Sequence, residues 1–490
     1  MVIRARLSAP REQRNEWPWH HAKVTSLSAS LLFAGDRRME AENYLASGYG
    51  IRLAMEARKA GWIRLGDLAR VWQPSRLKGI QVSSEFGTPF LAATQVFDLR
   101  PVPRKFLSLD RTDSAKERFV SRGMILVTCS GSVGRATLAH APHEGVLISH
   151  DLLRVEPREE KLRGWLYAYL RSPQARAMMT AAQYGHIIKH LEVSHLNAVP
   201  MPVLRDALLE DFAVRVRRIL DLRNLAHKMV AEAHSLYTEA FPSFRPVTGK
   251  ESGFTVSAHQ MFGTRRRLDA TRFHPTAARV ADSFIAQAKA VEPLSTLAER
   301  VYVPGRFKHV YGDGGTPYLD SADILEVAPD ITKRVLSLSP EEQLEYHVEP
   351  GWLLLPCSGQ VYGNIGHVVI ATEWHAGKVL SNHILRVAPK KDLVRAGYLQ
   401  CVLGHPTFGR PLVVRYAFGS SVPELAPEDI ATIPVPRINP RSENKIADLM
   451  ELAAQYRMDA DEGEESIAAD AEAIVDRFLG DDSHDVVIVP

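Results

Sequence analysis

The sequence predicts an α+β protein made of two tandem copies of one β-rich domain, each followed by a long helix. Gly123-Met-Ile-Leu-Val-Thr-Cys-Ser-Gly-Ser-Val-Gly134 returns as Gly351-Trp-Leu-Leu-Leu-Pro-Cys-Ser-Gly-Gln-Val-Tyr-Gly363, with Cys129 and Cys357 in register 228 positions apart. In this alignment the second copy carries one extra residue, Tyr362, before its glycine. The same offset relates Gly87-Thr-Pro-Phe-Leu91 to Gly315-Thr-Pro-Tyr-Leu319, so a whole domain is duplicated. After each copy a Pro-x-Pro segment, Pro200-Met-Pro202 or Pro434-Val-Pro436, gives way to a run with helical spacing.

In chain order, 1–23 form an N-terminal extension and 24–205 the first β-rich domain. Short β runs at Met124 to Thr128 and Val146 to Val155 alternate with turn signals, and Tyr44 to Ala60 and Leu162 to Ala181 have helical spacing. The first long helix occupies 206–245, with Phe212, Val216, Ile219, Leu222, Leu225, Met229, Ala233, Leu236 and Ala240 as its apolar stripe. A linker and second β-rich domain span 246–437, with strands at Trp352 to Leu355 and His367 to Ile370 and helices at Thr276 to Ala290 and Leu393 to Leu403. The second long helix covers 438–480, where Gly463 weakens it locally, and 481–490 form a tail. Two stripes this narrow satisfy each other as a coiled-coil pair; two separately solvated faces are the alternative.

Composition bounds what such a chain does. With a net charge of only +3, affinity for nucleic acid has to come from local clusters. Three cysteines, two at equivalent positions in apolar runs, fit buried side chains in a reducing compartment and give neither a disulfide framework nor a zinc site. Leu27 to Ala34 follows several arginines, but polar residues interrupt it and its repeat partner is internal, so a cytoplasmic chain with no membrane span is expected.

The paired Gly-Thr-Pro-aromatic-Leu segments, the paired Cys-Ser-Gly segments, the Leu153-Arg-Val155 and Leu385-Arg-Val387 strands and the Pro-x-Pro exits resemble, in order and twice over, the specificity subunit of type I restriction-modification enzymes. The resemblance covers nearly everything from about residue 24 onward. It implies two target-recognition domains, each reading one half of a split sequence in double-stranded DNA, and spacer helices that pair as an antiparallel coiled coil. It further implies no catalysis in this chain. Two modification (methyltransferase) subunits and restriction subunits would supply it, with S-adenosylmethionine, ATP and Mg bound by those partners. The N-terminal 23 residues and Gly463 depart from the family pattern.

Candidate DNA contacts follow from duplicated loops, because phosphates call for exposed cations and base edges for side chains that form paired hydrogen bonds. Pro74-Ser-Arg76-Leu-Lys78 aligns with Pro304-Gly-Arg306-Phe-Lys308, giving Arg76, Lys78, Arg306 and Lys308; solvated loop charge is the bland reading. The Ser-Gly loops give Ser130, Ser132 and Arg135, then Ser358, Gln360 and Asn364, and their glycines fit either close phosphate approach or a tight turn. His186, Lys189 and His190 form a cationic cluster where the second copy has Ser420, Pro423 and Glu424, which reflects either different half-sites or surface drift. The first long helix, roughly 50 Å at 1.5 Å per residue, spans at most on the order of fifteen base pairs.

No Gly-x-x-x-x-Gly-Lys-Ser/Thr loop, nucleophile elbow or metal-ligand spacing is present in the sequence, so no catalytic or metal-binding residue is assigned. The competing readings are a DNA-recognition subunit of a non-restriction defence or regulatory assembly, an enzyme with an unrecognised site, and a protein-binding scaffold. Salt-dependent DNA affinity separates the scaffold from the rest.

Overall fold

Strand pairing repeats between the two copies. The computed structural model describes residues 29, 41, 44, 46–76, 79–112, 115–184, 189–246, 253–262, 267, 269–336, 338–480 and 484–487. In the first copy Ile125–Thr128 lies between Ala136–Leu138 and Leu152–Pro157, and Ala69–Trp72 closes the far edge of this antiparallel sheet. In the second, Leu353–Pro356 lies between Val369–Ile370 and Ile384–Pro389, with Ala298–Tyr302 at the edge. Both central strands are buried on both faces, which is why they read as unbroken apolar runs rather than alternating ones.

The Gly-Thr-Pro segments form the parallel pairing of a second small sheet. Thr88–Leu91 runs beside Leu147–Ile148, and Tyr311–Leu319 beside Val379–Leu380. Gly315 is required by contact: a Cβ there would lie 2.3 Å from the Val335 carbonyl oxygen. The Pro-x-Pro segments pair only with Trp62–Arg64 and Ala290–Pro293, in two-stranded ribbons where a missing N–H is tolerated.

The span Val146 to Val155, read from sequence as one strand, is two strands broken by a turn at Ser149–Asp151, and Val379 to Pro389 breaks the same way at Ser381–His383. A buried arginine makes each turn. Arg154 donates to the carbonyls of Ile148 (3.0 Å), Ser149 (2.9 Å) and Leu152 (2.5 Å). Arg386 donates to those of Leu380 (2.8 Å), Ser381 (3.0 Å) and Ile384. The repeated hydrophobic-Arg-Val pattern is therefore a structural device. Leu162 to Ala181 is likewise two helices, Arg163–Arg171 and Pro173–Ala182, because Pro173 ends the first and the Ser172 hydroxyl caps the second by accepting from Ala175 N.

The chain forms two compact units, one holding 1–96, 102–218 and 463–490, the other 97–101 and 219–462. The long helices run over Asp206–Glu239 and Pro440–Leu479, the second continuing unbroken through Gly463. Within the second unit they pair antiparallel: the buried Arg223 guanidinium meets Asp461, and Glu232 meets Lys445 at 3.5 Å. Within the first unit Arg215 reaches Asp470 (2.7 Å) and Ser466 (2.9 Å). The α+β class, the duplication and the helix pairing are thus as the sequence predicts.

The first helix's buried edge differs in detail from the apolar stripe. Ala226, Val230 and Tyr237 are buried, one residue on from Leu225, Met229 and Leu236, and Leu225 is exposed. The helix answers to the β-rich domain as well as to its partner helix, and Tyr237 packs among Phe284, Tyr398 and Phe408. Equivalent glycines allow this docking. A Cβ on Gly164 would sit 2.3 Å from the Phe212 backbone in the first unit, and one on Gly397 would sit 2.3 Å from the Ala447 carbonyl oxygen in the second.

Candidate nucleic-acid interface

Each unit holds one frame of backbone hydrogen bonds around its repeated cysteine. In the first, Cys129 N donates to Asp151 O (3.0 Å), Leu191 N to Cys129 O (2.9 Å) and Gly131 N to Lys189 O (3.2 Å). In the second, Cys357 N donates to His383 O (2.9 Å), Leu425 N to Cys357 O (2.8 Å) and Gly359 N to Pro423 O (3.0 Å). Three segments converge in each case: the Ser-Gly loop, the turn made by the buried arginine, and the bridged pair Tyr184 with His190 or Phe418 with Glu424. Burial pushes both thiols up to about 12, so they act as small apolar posts.

The Ser-Gly loops correspond differently from the sequence alignment. Ile125 pairs with Leu138 and Leu353 with Ile370, so thirteen residues separate the first pair and seventeen the second. The second loop is four residues longer, not one, and Gly134 (φ 85°) corresponds to Gly366 (φ 90°) rather than to Gly363. Both glycines lie against an arginine of the following helix, Arg176 or Arg410. Gly131 and Gly359 also have positive φ, so backbone conformation accounts for the glycines. The longer loop is held from behind, where Arg410 donates to Val361 O at 2.8 Å. The signal was present in the sequence, since Ser149 and Ser381 already stand 232 apart.

Several of the predicted residues lie on the loops of this frame. Ser130 hydrogen-bonds the His190 ring at Nδ1 (2.9 Å), and Lys189 lies beside them, half-buried. Ser132 is exposed, with its carbonyl accepting from Thr128 Oγ1, and the Arg135 backbone N–H donates to the same hydroxyl oxygen. Ser358 hydrogen-bonds His383 Nδ1 (2.7 Å), Gln360 is exposed at the loop tip and Asn364 is half-buried. Lys78, His186 and 1–23 lie outside the described residues.

The cationic loops leave the edge strands at matching points, Trp72 opposite Arg154 and Tyr302 opposite Arg386. Arg76 is exposed, and its loop is fixed by the buried Arg118, which donates to Ser75 O at 2.7 Å. Gln73 Nε2 donates to His150 O (2.7 Å) and ties that loop to the turn. Arg306 and Lys308 are exposed on either side of Phe307, whose ring packs on Tyr346 at 4.4 Å.

Sequence reasoning missed two features here. One is the pair of turn tips, His150-Asp151 and Asn382-His383. The other is a duplicated stacked cation, Arg70 over Trp72 (4.9 Å) and Arg300 over Tyr302 (3.7 Å), on the strands that lead to Arg76 and Arg306. Polar triplets inside apolar runs were the available signal for the turns. Burial, reinforced by Arg118, Arg76 and Arg154, lowers the His150 pKa against the pull of Asp151 and favours a neutral ring. Among the described residues no group of His, Cys, Asp and Glu is arranged to hold a metal ion, and no helix is long and apolar enough to cross a membrane.

Solved structures with similar chain courses include the type I restriction-modification system S subunit from M. genitalium, at 14% identity and a TM-score of 0.33, covering 85% of this chain and 96% of that one. The HsdS subunit from Thermoanaerobacter tengcongensis is similar at 13% identity and a TM-score of 0.27, covering 86% and 96%. The type IIG restriction endonuclease BpuSI matches 36% of this chain with 28% of its own, at 16% identity and a TM-score of 0.25. No protein-family model matches the chain, and no curated protein does.

Proposed function

We propose that this chain is a sequence-specific DNA-binding subunit that reads a bipartite target in double-stranded DNA and directs methyltransferase subunits, and restriction subunits where present, to it. The observation that carries the reading is one rigid frame built twice and tipped differently. Matching hydrogen bonds hold Cys129 and Cys357, while the tips carry Ser132 against Gln360, His190 against Glu424 and loops of unequal length. A scaffold that kept its frame and varied its tips suits two half-sites of different sequence. Exposed Arg76, Arg306 and Lys308 beside the frames provide phosphate contacts.

On this reading 24–205 and 246–437 are the two recognition domains and the paired helices are the spacer. The chain performs no chemistry in a cytoplasmic complex whose two modification subunits bind S-adenosylmethionine, with ATP and Mg used by the restriction subunits. The test is co-expression with the methyltransferase encoded beside it, followed by single-molecule sequencing of host DNA. A split methylated-adenine motif that disappears when this chain is deleted supports the reading. A stable complex with an unchanged methylation pattern refutes it in favour of a DNA-recognition role outside modification.

A further inference from the structure

The turns made by Arg154 and Arg386 occupy the same place in the two frames. Ser149 N donates to Leu91 O at 3.0 Å and Ser381 N to Leu319 O at 2.9 Å. Asp151 N donates to Ser149 Oγ at 3.2 Å and His383 N to Ser381 Oγ at 3.1 Å. The carbonyls of His150 and Asn382 receive the cysteine thiols at 3.6 and 3.7 Å. The turn backbone and its arginine, serine and cysteine supports are thus shared, the first domain adding a bond from Gln73 Nε2 to His150 O, and the tip side chains differ. Ser130 bonds the His190 ring and Ser358 the His383 ring, so each Ser-Gly serine holds one histidine, supplied by the segment opposite the turn in the first domain and by the turn itself in the second, where Glu424 stands in the place of His190.

We infer that the two tip residues of each turn, His150-Asp151 in the first domain and Asn382-His383 in the second, are specificity-determining residues that contact base edges of duplex DNA. This rests on the proposed DNA-recognition function. The chemistry at the tips is that of direct readout. Asn382 offers a donor and an acceptor side by side, as adenine requires, and Asp151 offers an acceptor for the cytosine amino group. A hydrogen bond between Ser358 and the His383 ring and one from Ser149 to Asp151 (2.9 Å) orient the reading groups before DNA arrives. Turns fixed by a fully buried arginine keep their position when the tip residues change, so one scaffold serves two sequences.

The experiment exchanges the tips. The full-length chain carrying His150→Asn with Asp151→His selects duplexes from a randomised DNA library, and the bound pool is sequenced beside that of the wild type. The second domain already carries Asn and His on this turn backbone, so the double variant is expected to fold, and its unfolding midpoint is measured beside the wild type's. The expected result is a split motif for the wild type and, for the variant, about a tenfold depletion of the original bases at one or two positions of one half-site, the other half-site unchanged. An unchanged motif overturns the inference and leaves the DNA-recognition reading standing. A wild-type chain that enriches no motif overturns both. Should the first variant melt early, Asn382→His with His383→Asp decides the same point in the other domain.

Discussion

Replacing Arg386 with methionine tests whether the arginine in the Leu-Arg-Val strand builds the recognition turn. Its side chain is fully buried and donates to Leu380, Ser381 and Ile384 carbonyls. Ser381 O keeps Ile384 N as a donor (3.2 Å), but the Leu380 and Ile384 carbonyls and that of Tyr346, which Arg386 reaches at 3.4 Å, lose theirs, at about 1–3 kcal/mol each, roughly 3–9 kcal/mol together. Methionine also relieves the buried charge. Desolvation lowers the Arg386 pKa from 12.5 to about 10, and at about 1.4 kcal/mol per unit that relief is roughly 3 kcal/mol. The net loss is centred on about 3 kcal/mol and confined to the turn and its neighbours. Urea denaturation reads the magnitude, and hydrogen exchange over 379–389 reads the location. Arg154→Met should act alike on 147–157, through its own three carbonyl acceptors. A variant within about half a kcal/mol of wild type, with unchanged protection of the turn, would refute the account.

Gly397→Ala places a Cβ 2.3 Å from the Ala447 carbonyl oxygen and should cost about 1–3 kcal/mol by overpacking, seen as a lowered unfolding midpoint. Asp323 has its pKa raised to about 6, chiefly by burial. The folded chain therefore holds this proton more tightly than the unfolded one, and stability falls as pH rises from about 4 through 6. Asp323→Asn should flatten that part of the stability-pH curve and leave the variant the more stable at pH 7, by on the order of 1 kcal/mol after solvent screening; a slope equal to wild type counts against it. Arg306→Ala, at an exposed loop position, should weaken DNA binding and reduce the slope of log affinity against log salt by about 1. An unchanged slope removes that loop from the interface.

The sequence by itself determined the duplication, the α+β class and the two long helices. Each rests on patterns that survive without contacts: Cys129 against Cys357, Gly87-Thr-Pro against Gly315-Thr-Pro, and apolar spacing of three and four. It also placed most of the loops that converge on the frame, since His190 aligned with Glu424 and both proved to bridge the Ser-Gly loops. Tertiary structure alone decided the rest. The Ser149–Asp151 turn sits in an apolar stretch that reads as one strand, and there, as at Ser381–His383, the guanidinium of an arginine a few residues on folds back on three carbonyls and bends the chain, a contact that spacing alone does not reveal. The four-residue difference between the Ser-Gly loops emerged from strand register, because a motif match ends at the first glycine it meets whereas hydrogen bonding fixes the far strand. The shift of the first helix's buried edge onto Ala226, Val230 and Tyr237 has the same origin: its spacing announces an apolar face, but the domain packed against it chooses which residues that face contains.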